Sequence, residues 1–247
     1  MPQIWFIAGP PFDVALWQAV EARVHTHGLS ARSWACMISG SGDISEEQDR
    51  LSADLYAAET PVVLVGHGSA LPLVRAAAEH PKVVGLVLSN GPGSELDRLN
   101  RLWTRLFSLP RPLRSTLLGP DLLMPVLASP VGLRRTVVNP YVMDRDTVVA
   151  ICGPIFEDPD RRERVSTYFK SLPPHLKTAP TPNTHTLLCW GDADPIGADT
   201  YSEFEHTPGI TVSRSPIPGG RFMHPVERPW EIADRIVEWA SEWAIAT

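Results

Sequence analysis

"VVLVGHGSALP", residues 62 to 72, is the stretch on which the reading of this chain turns. Val62 to Val65 form a short apolar, β-branched run with the composition of a buried strand. Gly66-His67-Gly68-Ser69-Ala70 interrupts the run, and a helix-compatible stretch follows as far as His80. A strand that stops in a glycine-rich turn and passes at once into a helix is the joint of a parallel β-α unit.

The same rhythm extends to both sides. "QIWFIAG" (3–9) reads as a first strand, "DVALWQAVEARVHTHG" (13–28) as a helix closed by Gly28, and "ARSWACMI" (31–38) as a second strand. "ISEEQDRLSADLYAAE" (44–59) reads as a helix capped by Asp43, and "KVVGLVLSN" (82–90) as the strand after the glycine turn. From Ser94 to about Thr184 the alternation stops. "ELDRLNRLWTRLF" and "DPDRRERVSTYFKSL" look helical, while the segments between them are proline-rich and irregular. Strand patterns return in "HTLLCWGDADP" (185–195) and "GITVSRSPIP" (209–218). A last helix, "PWEIADRIVEWASEWA" (229–244), sets Ile232, Ile236, Trp239 and Trp243 on one face. The expected architecture is α/β: a mostly parallel sheet flanked by helices, built from residues 1–93 and 185–247, with a helical cap of residues 94–184 inserted between two strands.

Composition bounds the partners. A chain of 247 residues suits one domain with an insertion. The net charge of −6, with no basic patch interleaved with aromatics, argues against nucleic acid or an anionic membrane surface as a partner. No apolar run approaches the roughly 18–20 residues of a membrane span, and "MPQIWFIAGPP" has neither a basic region nor a cleavage site. Cys36, Cys152 and Cys189 are too few and too scattered for a disulfide framework or a zinc site. The expectation is a cytoplasmic protein with free thiols, no metal and no cofactor, acting on a small molecule, with its oligomeric state open.

Three landmarks in one order, "VGHGSA", "WGDADP" and "IPGGRFMHPVERP", give the chain its resemblance to capped α/β-hydrolases over nearly its whole length. In that family the first landmark is the nucleophile elbow, G-x-S-x-G, whose middle residue carries the attacking hydroxyl. The elbow is so tight that residues two before and two after its apex must be small. Gly66 and Ala70 satisfy this only when Gly68 is the apex; with Ser69 there, His67 and Leu71 would occupy the small positions. The resemblance therefore implies an elbow without its nucleophile, with Ser69 read first as a helix-start residue bonded to backbone, and otherwise as a substrate contact or a displaced nucleophile.

The other family positions differ too. The residue matching the catalytic histidine is Arg221, which cannot accept a proton at neutral pH. His224, three residues later, is either structural or an acid–base group. Asp194 matches the triad carboxylate, with Asp192 the lesser claimant; its expected partner is Arg221, either as a structural pair or with Asp194 holding an arginine aimed at substrate. Pro10 falls where the first-strand loop would supply an oxyanion N–H, and proline has none. Within the cap, Trp103, Phe107, Tyr141, Phe156 and Tyr168 are candidate pocket aromatics, and His67 either packs structurally or carries protons. What the resemblance implies is catalysis by Arg221, Asp194 and His224 on a substrate held near Gly68, Ser69, Pro10, His67, Trp103, Tyr141 and Phe156. The reaction expected is non-hydrolytic: cyclisation, elimination, rearrangement or carbon–carbon cleavage of a small, polyketide-like natural product. The alternatives are a ligand-binding pseudoenzyme and a residual hydrolase that activates water with His224 and Asp194.

Overall fold

A computed structural model describes residues 1–36, 40–180, 184–195 and 211–244, the side chains of Trp243 and Ala244 excepted. The end of the expected second strand at Met37 and Ile38, the start of the expected last strand, and the facing of Trp243 lie outside the described residues. Six strands, β1 (Gln3–Ala8), β2 (Ala31–Ala35), β3 (Val62–His67), β4 (Val83–Ser89), β5 (Thr186–Gly191) and β6 (Val212–Ile217), form one sheet in the order β2-β1-β3-β4-β5-β6. Every pairing is parallel. Central strands of such a sheet are covered on both faces, so they read as continuous apolar runs rather than alternating ones. Strand β3 is buried along its whole length, as is β1 beyond Gln3. Burying each of Ile4, Phe6, Leu64 and Leu86 contributes about 1.5–3 kcal/mol.

Helices follow the strands: α1 (Gln18–Thr26) after a 3-10 turn at Val14–Trp17, then α2 (Ile44–Tyr56) and α3 (Leu71–Ala76). Asp13 starts the 3-10 turn, and Asp43 caps α2 as expected, accepting from the Ser45 amide at 2.8 Å. Between β4 and β5 lie α4 (Arg98–Phe107), α5 (Arg111–Leu117), α6 (Pro120–Leu127), α7 (Arg145–Phe156) and α8 (Pro159–Thr178); α9 (His224–Glu227) and α10 (Pro229–Ala244) close the chain. The expected helices of this insertion are α4 and α8. Helices α5, α6 and α7 stand where irregular chain was expected. Pro112 and Pro120 sit in first turns, where the missing N–H costs nothing, and α7 opens on an Asp144 cap that accepts from the Thr147 amide at 2.8 Å. Pro125 and Pro154 are carried inside α6 and α7.

The inserted helices have an aromatic core of their own. Phe107 stacks on Phe169 at 5.2 Å and on Phe156 at 6.0 Å, with Trp103 6.0 Å from both Phe107 and Phe156. The insertion is tied to the sheet through Arg75 of α3, which donates to the carbonyls of Ala179 at 2.9 Å and Pro180 at 3.2 Å. Cys36, Cys152 and Cys189 are buried free thiols. Among the described residues no helix is long and apolar enough to cross a membrane.

Candidate functional site

The carboxyl ends of the central strands come level with one another. His67 pairs with Ala8 on one side and Ser89 on the other, and Ser89 pairs with Cys189. This edge, where strands give way to loops, is where open α/β sheets bind ligands. Gly68 follows His67 with φ +59°, and its amide donates to the Asn90 carbonyl at 2.7 Å. The left-handed apex is therefore Gly68. A Cβ on Gly66 would lie 2.7 Å from Val74 Cγ2, which is why the position two before the apex must be bare.

Among the described residues no hydroxyl is free at this apex. Ser69 is buried, and its Oγ donates to the Pro10 carbonyl, so the loop after β1 meets the elbow through an acceptor rather than a donor. The Ser69 carbonyl in turn accepts from the Tyr168 hydroxyl of α8 at 2.6 Å. Phe222 covers the glycine: a Cβ on Gly68 would sit 3.2 Å from Phe222 Cζ.

The expected pairing of Arg221 with Asp194 is not formed. Arg221 Nη1 reaches the carbonyls of Arg135 at 3.3 Å and Val137 at 3.5 Å, on the inserted segment, and among the described residues the buried Arg221 Nε has no hydrogen-bond partner. Asp194, 7% exposed, accepts instead from Asn90 Nδ2. Asn90 Oδ1 takes the Gly191 amide at 2.9 Å. One amide side chain thus bridges the carboxylate to β5, while the same residue's carbonyl holds the elbow. Asn90 escaped the sequence reading; its signal is a polar residue at the carboxyl end of an otherwise apolar strand. Nearby, burial lifts the Asp97 carboxyl above its usual range, opposed by hydrogen bonds from Asn100, and Asp194 adds to the rise.

His224 turns inward. Its Nε2 lies 3.0 Å from Ser89 Oγ, its Nδ1 is 3.0 Å from the Arg221 carbonyl, and Ser89 Oγ lies 2.9 Å from His67 Nδ1. Burial holds His224 down at about 4, against the raising effect of the Arg221 carbonyl. His67 is pushed well below the ordinary imidazole range by burial first and by His224 second. Around His67 stand Phe222 at 4.6 Å, Trp17 edge-on at 6.0 Å and Phe12 at 6.4 Å. Among the described residues, His67 Nε2 has no hydrogen-bond partner.

The structure gathers Gly68, Ser69, Pro10, His67 and His224 at one strand edge, with Asp194 one residue removed through Asn90. Trp103 and Phe156 are buried in the aromatic core of the insertion, and among the described residues Trp103 Nε1 has no hydrogen-bond partner. Tyr141 is 83% exposed on the 3-10 turn at Pro140–Val142.

A parallel six-stranded sheet with a glycine-apex elbow after β3 and helices inserted between β4 and β5 gives the chain an α/β-hydrolase fold. Solved structures of that fold superpose on nearly all of it. A loop variant of the haloalkane dehalogenase DbeA from Bradyrhizobium elkanii matches with TM-score 0.76 at 16% identity, over 99% of this chain and 90% of that one. Cfl2 from Burkholderia cenocepacia matches with TM-score 0.77 at 15% identity, over 96% and 87%. A thermophilic esterase from Thermogutta terrifontis matches with TM-score 0.66 at 15% identity, over 98% and 90%. No family model and no curated protein sequence matches the chain.

Proposed function

We propose that this protein is a cofactor-independent enzyme that uses the α/β-hydrolase scaffold for non-hydrolytic chemistry, with residues 94–184 as a lid over residues 1–93 and 185–247. The substrate class is a small, largely apolar, polyketide-like molecule, and the reaction an isomerisation, elimination, cyclisation or carbon–carbon cleavage. One observation carries the reading: the elbow apex is Gly68 at φ +59°, so the position from which acyl transfer would start has no side chain. The Ser69 hydroxyl is committed to the Pro10 carbonyl, which removes the neighbouring substitute. Arg221 brings a permanent positive charge and an unpaired buried Nε–H, suited to an oxygen on which negative charge develops. Two buried imidazoles beside the apex favour proton transfer over passive ligand storage.

The contact of Ser89 Oγ with His224 Nε2 favours one second reading, hydrolysis from a displaced serine–histidine pair. Against it, Ser89 is fully buried between β3 and β5, and its oxygen is also engaged by His67. The test is incubation of the intact protein with a fluorophosphonate and with p-nitrophenyl butyrate, followed by mass spectrometry. The expected result is unmodified protein and ester cleavage at the buffer rate. An adduct on Ser69 or Ser89 overturns the proposal.

A further inference from the structure

We propose that His67, Ser89 and His224 form a proton relay in which His67 Nε2 removes a proton from an uncharged substrate with an acidic C–H beside a carbonyl, and His224 receives the resulting charge. The inference deepens the non-hydrolytic reading and rests on it.

The hydrogen-bond pattern permits only one placement of protons. His224 Nδ1 faces the Arg221 carbonyl, which can only accept, so Nδ1 carries the proton. Buried and neutral, His224 then has a bare Nε2, and the contact from Ser89 Oγ must be a donated O–H. With that single proton used, Ser89 Oγ accepts from His67, so the His67 proton is on Nδ1. His67 Nε2 is left as a bare lone pair, buried and unpartnered among Phe12, Trp17 and Phe222. Leaving that nitrogen unpartnered costs free energy that an apolar side chain in place of His67 would not. The same Phe222 ring touches His67 and lies against Gly68, so that nitrogen and the bare apex share one aromatic neighbour.

The step balances without a co-reactant. The substrate C–H bond breaks and its proton forms N–H at His67 Nε2. The Nδ1 proton of His67 passes to Ser89 Oγ, and the former Ser89 proton passes to His224 Nε2. The products are a substrate enolate and a His224 imidazolium whose Nδ1–H remains on the Arg221 carbonyl. Return of the proton by the same path to a different carbon gives an isomer of the substrate.

Two measurements on the full chain test this. Long-range proton–nitrogen spectra of histidine-labelled protein at pH 7.5 are expected to show Nδ1–H tautomers for His67 and His224; Nε2–H on His67 overturns the relay whatever the activity. Deuterium uptake from D2O into 2-indanone, 2-tetralone and phenylacetone supplies the second readout. Uptake is expected to exceed the buffer rate, to fall about a hundredfold in His67→Gln and about tenfold in Ser89→Ala, and to be rescued by Ser89→Thr. Uptake that survives both His67→Gln and Ser89→Ala overturns the assignment of the base. Uptake at the buffer rate for all three ketones, with both tautomers as expected, overturns the proton-abstraction step, whereas the non-hydrolytic reading falls separately, on an adduct in the fluorophosphonate and ester test.

Discussion

Phe222 crowds the place of a side chain on Gly68: a Cβ built there falls 3.2 Å from Phe222 Cζ, so the ring would have to give by a few tenths of an ångström. The glycine is also left-handed, a region that costs an L-residue roughly 1–3 kcal/mol. Restoring a hydroxyl by Gly68→Ser is therefore expected to destabilise the fold by about 1–3 kcal/mol and to bring no esterase activity. Urea unfolding and p-nitrophenyl ester hydrolysis check both halves. A Gly68→Ser variant that hydrolyses the ester well above background would mean the rest of a triad is in working order.

Asn90 joins two buried groups, accepting from the Gly191 amide and donating to Asp194. Asn90→Ala deletes both bonds within a buried site, and hydrogen bonds to charged groups are worth about 1.5–3 kcal/mol. A loss of roughly 2–4 kcal/mol is expected in chemical denaturation. A change below about 0.5 kcal/mol would show that the bridge is energetically idle.

His224 and His67 give the fold a defined acid response. Both are neutral when buried, whereas the same imidazoles in the unfolded chain take up a proton near 6.5. Proton uptake thus favours unfolding as pH falls. The full contribution is present above about 6.5, declines as pH drops toward the folded value near 4 for His224, and stays lost below it. For His224 the span is on the order of 3 kcal/mol. Unfolding free energies at pH 7 and pH 5 should differ by less in His224→Gln than in the parent; equal differences would place the acid sensitivity elsewhere.

The Tyr168 hydroxyl is buried, and its bond to the Ser69 carbonyl joins α8 to the elbow. Tyr168→Phe keeps the ring and removes only this donor, so a loss of about 1–2 kcal/mol is expected, measured by thermal or urea unfolding. A fully neutral substitution would show that the contact is not formed in solution.

Much of the sheet could be read from local pattern, because β3 and β4 are continuous apolar runs and Gly66, Gly68 and Ala70 fix the turn by size alone. Helices α5 to α7 could not. A proline in a first turn and a proline that ends a helix look alike until the helix start is known, as Pro112 and Pro120 illustrate. Side-chain direction was equally hidden. The sequence put Arg221 in the loop near Asp194, yet the guanidinium turns to the carbonyls of Arg135 and Val137, and it is the Arg221 backbone oxygen that reaches His224. Tyr141 had the right chemistry for a pocket but sits on a turn that carries it outward. Asn90 and Ser89 gave a weak signal, since two polar residues closing a strand resemble any loop entry.

Helix α8 and the chain that follows it are held at two places. Its far end leads into carbonyls gripped by Arg75, and its middle is pinned by Tyr168 to the residue beyond the bare apex. A displacement of α8 relative to the sheet must therefore either break the Tyr168–Ser69 bond or carry the turn after β3 with it.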